Sequence, residues 1–114
     1  MSRQALPLLT LTFALTGTVA AYRFVTPAGA QAGANENTLG VATMAGVSGD
    51  KIGVDVIGTT IVEAGAAISA GATLEADASG CAITWATSGG KIGIALEAAS
   101  AAGQYIEVLL LPNA

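Results

Sequence analysis

Hydrophobic and polar residues alternate along the front of the chain. In the segment LTLTFALT, residues 9–16, leucine or phenylalanine occupies every second position, with threonine or alanine between. A period of two is typical of a β-strand with one buried face. Gly17 and Thr18 permit a turn into a second strand, VAAYRFV, which ends just before Pro27. The front of the chain therefore predicts two consecutive strands.

The same stretch has an alternative interpretation as a secretory signal. It follows a basic residue, Arg3, and small residues suit cleavage after Ala20 or Ala30. A signal core is normally a near-continuous apolar block, however, whereas this one is broken by threonine at every second position. We expect the stretch to be retained as strands, and an exported protein with a cleaved signal is the alternative.

Short strand patterns separated by glycine-rich turns continue to the end of the chain. KIGVDVIG and GTTIVEAG predict a hairpin that turns at Gly58–Thr59. Further strands are predicted in TLGVATM, ATLEA, CAITWATS, KIGIALEA and QYIEVLLLP, the last with Ile106, Val108 and Leu110 on its apolar face. AGAAISAG is not predicted as a helix, since each of its glycines costs about 1 kcal/mol relative to alanine.

These patterns predict an all-β fold: a small β-sandwich or barrel of seven to nine short, mostly antiparallel strands with little or no helix. The 114 residues suffice for one domain. We expect an N-terminal arm over residues 1–8 and a single β domain over residues 9–114. Within that domain the segment PAGAQAGANEN, residues 27–37, has the composition of a mobile loop.

Composition narrows the possible partners. Only 11% of the residues are charged, the net charge is −4 and there is no basic patch, so nucleic acid is not expected as a partner. The uncharged front segment is a poor membrane span, because its threonines and glycine lower its hydropathy. A single cysteine excludes an internal disulfide framework. Such a low charge predicts that part of the surface is covered by copies of the chain or by a partner.

Candidate catalytic chemistry is sparse. Histidine is absent, so the commonest general base and metal ligand are missing. Glu75 and Asp77 are the nearest pair of carboxylates in the sequence, and they suit a hydrolytic pair, a Ca²⁺ site or simply the end of a solvated strand. The last is favoured, because Ca²⁺ needs about six or more oxygen ligands and nothing nearby supplies them. Cys81 is expected to be buried and inert, and Trp85 to be the largest core side chain. We therefore predict a protein that is not an enzyme and binds no cofactor or metal.

The order of segments resembles a known family. GVATMAG, a KIGVDV strand, IVEAGAAISAGATLEADASG and GGKIGIALEAASAAGQYIEVLLLP follow one another as in the small capsid decoration, or cement, proteins of tailed bacteriophages. The similarity covers most of the chain, and ALTGTVAAYRFV fits the first strands of that family.

The resemblance implies a structural virion protein that is made in the host cytoplasm and added to the outside of an assembled capsid. It would bridge neighbouring subunits of the major capsid protein and resist the outward pressure of packaged DNA. It also implies a homo-oligomer, with a trimer favoured. If the front segment is instead a cleaved signal, the protein is an exported surface or pilus-like β subunit.

The front of the chain supplies the candidate capsid contact. The segment SRQALPL changes from polar to apolar before the first regular strand, so it could order against the shell by adding a strand to a capsid edge. The predicted capsid-binding residues are Ser2, Arg3, Gln4, Ala5, Leu6, Pro7 and Leu8.

Overall fold

The computed structural model describes residues 6–34, 36–86 and 91–110. It contains eight strands: β1 (Pro7–Ala14), β2 (Phe24–Val25), β3 (Gly40–Ala42), β4 (Lys51–Glu63), β5 (Thr73–Ala76), β6 (Ala82–Thr84), β7 (Gly93–Ala95) and β8 (Tyr105–Leu110). The described residues form no helix, and all pairings between these strands are antiparallel. The predicted all-β fold class is therefore confirmed.

The strands form one sheet that almost closes on itself. Seven of them follow the order β2-β3-β4-β8-β7-β5-β6, and β1 pairs with β4 beside this path. Just beyond β4, Ala64 forms a bridge with Ala82 of β6, and the Gly65 amide donates to the Ala82 carbonyl at 2.8 Å. The end of the path thus meets its middle, and the architecture is that of a small, nearly closed barrel.

The long strand β4 corrects one prediction. The hairpin turn expected at Gly58–Thr59 is wrong, because β4 runs on through both residues for 13 residues in all. Gly58 adopts a φ of 104°, which bends the strand without reversing it. It pairs with Pro7 of β1 and with Leu110 of β8. Pairing with these distant strands takes the place of pairing between the two halves of β4.

Two hydrophobic cores lie on this framework. The principal core fills the barrel, and its largest fully buried side chains are Phe24, Leu74, Ile92, Ile106 and Leu110. The second core packs the front of the chain against the first half of β4, through Leu15, Val19, Val25, Ile52, Val54 and Val56. The apolar face predicted for the last strand is confirmed, since Ile106, Val108 and Leu110 are all buried.

The β2–β3 hairpin is the wall between the two cores. Phe24 and Val41 belong to the principal core, whereas their neighbours Val25 and Ala42 belong to the second. All four are fully buried. A strand that is buried on both faces carries continuous rather than alternating apolar residues, which accounts for the weak periodicity of this part of the sequence.

The alternation at the front of the chain holds in β1. Leu11 and Phe13 pack against the second core and Leu15 is buried, whereas Thr10, Thr12 and Ala14 are exposed. The second predicted strand is shorter than expected. Ala21 and Tyr22 form a turn in which Tyr22 has a φ of 61°, so that regular pairing begins only at Phe24.

Replacing Gly58 with alanine should lower the free energy of unfolding by about 3–4 kcal/mol. A Cβ at this position would lie 2.6 Å from both the Leu6 carbonyl oxygen and the Leu8 amide nitrogen, at a φ of +104°. Gly49→Ala is the matched control, because Gly49 has a φ of +94° but nothing within 4 Å of its Cβ position. Its cost should be about 1–2 kcal/mol, from backbone strain alone.

Urea unfolding followed by tryptophan fluorescence or circular dichroism measures both variants. Equal losses for the two would contradict a tight approach of β1 to β4 at Gly58.

Candidate functional site

Three of the seven predicted capsid-binding residues lie among the described residues, at the start of β1. The backbone of Leu6 pairs with Thr59 through hydrogen bonds in both directions, and Pro7 is the register partner of Gly58. The side chains of Leu6 and Leu8 are 62% and 81% exposed. Ser2, Arg3, Gln4 and Ala5 lie outside the described residues. The start of β1 thus combines a backbone held by β4 with apolar side chains in solvent.

The outer edge of β1 carries unpaired backbone groups. The Leu15 amide donates to the Asp50 carbonyl, on the side of β4, whereas the Thr16 amide donates to the Gly29 carbonyl, on the side away from β4. We call these two directions inward and outward. Because peptide groups alternate along a strand, those of Thr12 and Thr10 also point outward. Gly53, the register partner of Thr12, accepts a bond from Thr43 on the opposite edge of β4, which agrees with this assignment. Among the described residues no backbone bond reaches the outward groups of Thr10 or Thr12.

At β2 and β6, the two ends of the strand order, other segments of the chain bond to the strand. The Phe24 amide of β2 donates to Gly80, and the Phe24 carbonyl accepts from Ala32. Ala82 of β6 is covered by Ala64 and Gly65, as described above. Open strand edges are normally protected by charges, by central prolines or by burial. In β1, PLLTLTFA, there is no charge, and its proline stands at the first position, so the edge is available to another strand.

A groove runs beside this edge on the face of β1 that carries Leu9 and Leu11. It has a volume of about 450 Å³, and its walls include Leu9, Leu11, Pro27, Thr38, Leu39 and Ile57. None of its lining residues is charged. We call it the β1 groove. Leu9 and Ile57 are register partners and are both partly exposed, so the apolar wall continues onto the surface.

Two polar residues, Asn37 and Thr38, line the β1 groove among apolar ones. Thr38 is only 9% exposed, and among the described residues its Oγ1 atom has no hydrogen-bond partner and is itself shielded from solvent. A buried hydroxyl without a partner costs about 1–3 kcal/mol, so native structures contain few of them. The Thr38 hydroxyl therefore lowers the stability of the free protein.

A buried carboxylate fixes β1 against β4. Asp55 is 4% exposed, and its two oxygens accept bonds from the hydroxyls of Thr10, at 2.7 Å, and Thr60, at 2.8 Å. A hydrogen bond contributes about 0.5–1.5 kcal/mol to stability, and a buried group that loses its partner costs about 1–3 kcal/mol. The Thr10 hydroxyl thus holds β1 to Asp55 of β4, whereas the peptide groups of Thr10 point away from β4. Strand β1 therefore stays in place although its outer edge is open.

A second depression, of about 590 Å³, lies on another part of the surface. It is lined by Thr18, Val19, Ala20, Arg23, Gln31 and Val47, among others. The Arg23 guanidinium is already engaged, since it donates to Glu63 at 3.1 Å and to the Ser79 carbonyl at 2.9 Å. Nearby, the rings of Tyr22 and Tyr105 meet edge to face with centroids 5.4 Å apart. These contacts tie the turn at Tyr22 to β4 and β8.

The carboxylates of Glu75 and Asp77 perform separate structural tasks. Glu75 is buried, and its Oε2 accepts a hydrogen bond from the Ala86 amide, whereas its Oε1 has no partner among the described residues. Oδ1 of Asp77 accepts from the amides of Ser79 and Cys81 and so closes the predicted turn. Neither carboxylate lines the two depressions described above.

Cys81 and Trp85 differ in how well they were predicted. The thiol of Cys81 is buried as expected, and burial, with a contribution from Asp77, raises its pKa above the ordinary value. Trp85 is not a core residue, so that prediction is wrong. Its ring is only partly buried and lies 4.3 Å from the Lys91 ammonium nitrogen. β6 ends at Thr84, although the Trp85 amide still donates to the Thr73 carbonyl of β5 at 2.8 Å.

The described residues contain neither a metal-binding cluster nor a membrane-spanning helix. Within residues 6–34, 36–86 and 91–110, no group of three or more Cys, Asp or Glu side chains could hold a metal ion. In the same part of the chain no helix is long and apolar enough to cross a membrane.

Sequence reasoning missed the β1 groove and the open edge at Thr10 and Thr12. The uncharged run LTLTFA was a usable signal for an unprotected edge, although it could not show which edge would stay uncovered. No local signal marks Thr38, whose position depends on Pro27, Leu39 and Ile57 meeting from three separate segments.

Thr38→Val should raise the free energy of unfolding of the free protein by about 1 kcal/mol, because it removes a buried hydroxyl without a partner and keeps the shape of the side chain. Thr60→Val is the matched control. It removes a hydroxyl that donates to Asp55 and should lower the free energy of unfolding by about 1–3 kcal/mol. Urea unfolding gives both values, and destabilisation by Thr38→Val would mean that its hydroxyl has a partner.

Comparisons with known proteins bear on the family and the fold of the chain. The profile of the phage cement protein family matches residues 3–110 of the chain. Among solved structures, the base of the head fiber, gp8.5 N base, of bacteriophage phi29 superposes with a TM-score of 0.72 at 23% sequence identity. The match covers 90% of this chain and 93% of that one, and at this identity it establishes the fold alone. No curated protein sequence matches the chain significantly.

The match to the family profile extends over nearly the whole chain, and it confirms the resemblance seen in the sequence. The chain belongs to the phage cement protein family and is a structural protein that binds the phage capsid.

Proposed function

We propose that this protein binds the outer surface of an assembled phage capsid, bridges neighbouring subunits of the major capsid protein and stabilises the shell against internal pressure. Its role is structural rather than catalytic, and it needs no cofactor. One observation carries the site of binding: in a member of the cement family, the open and uncharged edge of β1 presents Leu6 and Leu8 to solvent.

The chemistry of this surface suits a protein partner. Leu6, Leu8 and Leu9 are all exposed, and covering them would stabilise a complex by about 25 cal/mol for each Å² of apolar area removed from water. No charged residue lies in β1 or the β1 groove. Binding through this surface should therefore depend little on salt, unlike the binding of nucleic acid.

The structure also bears on the alternative of an exported subunit. Cleavage after Ala20 or Ala30 would remove β1, together with Leu15 and Val19 of the second core. Ile52, Val54 and Val56 would then lose much of their cover. Nothing in the fold or in the comparisons supports an exported pilus-like protein.

The assembly that we propose is a homotrimer on the capsid surface. Only 11% of the residues are charged, against about 25% in an average soluble domain, which favours a surface partly covered by other copies. In a symmetric oligomer each weak contact with the shell is repeated, and avidity can exceed the affinity of one site by about 10²–10⁴.

Native mass spectrometry of the purified protein at micromolar concentration tests the trimer. The expected species has the mass of three 11.1 kDa subunits. A monomer or a dimer as the dominant species would contradict this assembly without affecting the family assignment.

Removing residues 2–8 should weaken capsid binding at least about tenfold and leave the fold intact. The segment carries the exposed leucines, and Leu6 and Leu8 bury little area in the free protein. The measurement is co-sedimentation with capsids purified from a phage mutant that lacks this protein, at two salt concentrations.

The Leu6→Ser, Leu8→Ser double variant separates loss of side chains from loss of backbone. Met44→Ser is the control, since Met44 is 54% exposed and lies outside β1 and the β1 groove. Binding of the truncated protein as tight as that of the full-length protein would refute the assignment of residues 2–8.

A further inference from the structure

We propose that an extended, uncharged segment of a capsid subunit adds to the outer edge of β1 as a further strand and places an apolar side chain in the β1 groove. This inference rests on the proposed capsid binding and names the element that the capsid contributes. In it, β1 receives a strand from the shell.

The backbone of β1 defines how the incoming segment pairs. The outward N–H and C=O groups of Thr10 and Thr12 are unpaired among the described residues. The Thr10 hydroxyl bonds Asp55, and the side chain of Thr12 is exposed to solvent. Strand addition satisfies such groups with main-chain bonds, while alternate side chains of the added strand enter pockets on one face. The β1 groove lies on the face that carries Leu9 and Leu11, directly beside this edge.

The groove defines the chemistry of what enters it. None of its described lining residues is charged, so an ionised side chain would lose its hydration there without gaining an ion pair. An apolar side chain would be buried against Leu39, Pro27 and Ile57.

The family match favours a capsid segment as the occupant, and the turn at residues 26–30 argues against two β1 strands that pair antiparallel about Leu11. The Thr16 amide is bonded to Gly29, and a Cβ on Gly29 would lie 2.5 Å from the Ala14 carbonyl oxygen. The edge is therefore already covered at Ala14. Two β1 strands that paired antiparallel about Leu11 would place Leu8 of one copy opposite Ala14 of the other, where Gly29 lies. A capsid segment is not bound by that symmetry and can pair at Thr10 and Thr12 alone.

The decisive variant is Thr12→Pro, which removes an outward amide and leaves the bonds to β4 intact. Thr12→Ala is its matched control, because it removes the side chain but keeps the amide. The readout is the dissociation constant for capsids that lack this protein, with urea unfolding of each variant alongside. We expect Thr12→Pro to bind at least about tenfold more weakly than Thr12→Ala.

Ile57→Ser provides an independent readout that does not depend on a proline. Ile57 lines the β1 groove and is 36% exposed, so this change should weaken capsid binding about fivefold to tenfold by removing apolar area that the capsid segment covers. A photoreactive residue in place of Thr12 should crosslink on the capsid to one uncharged segment of a capsid subunit, identified by mass spectrometry.

The outcomes separate this inference from the proposed function. If the wild-type protein binds capsids, and Thr12→Pro and Ile57→Ser bind as tightly as Thr12→Ala, the strand addition is refuted while capsid binding stands. If the wild-type protein does not bind capsids, both are refuted. Loss of self-association in Thr12→Pro without capsids would place a second copy on the edge and would also overturn the inference.

Discussion

The fold depends on the continuous pairing of β4 with three other strands. β1 lies along one edge of β4, while β3 and β8 share the other edge, β3 near Val54 and β8 from Gly58 onward. The first half of β4 supplies Ile52, Val54 and Val56 to the second core, and its second half supplies Val62 to the principal core. Gly58 lies between these halves and lets the strand bend from one core to the other.

The open edge of β1 is compatible with this fold because β1 is held from its inner side. Asp55 receives the hydroxyl of Thr10, and Leu11 and Phe13 pack on the second core. The irregular register on either side of Leu9 lies next to the exposed leucines, and such bulges are frequent at sheet edges and near functional sites. Stability is thus supplied by one side of the strand, and the other side remains available for a partner.

The apolar residues at the front of the chain fall into a buried group and an exposed group. Leu15 and Val19 stabilise the free protein, whereas Leu6 and Leu8, only a few residues earlier, bury little of their area. An exposed apolar edge is a liability for a protein that stays alone, since such edges favour aggregation. At the capsid contact that we propose, the same feature would be a recognition surface, because the partner would cover it.

The sequence by itself determined the fold class, the buried face of the last strand and the alternation of packed and exposed side chains in β1. Each of these follows from residues within one segment, where a period of two records which side chains meet the core. The family was also evident from the order of segments. Only the tertiary structure decided that β4 continues through Gly58, that Trp85 stays outside the barrel, and that Thr38 and the edge of β1 face a common groove. These features depend on which distant segments pair or fail to pair, and the residues of one segment do not record the positions of the others.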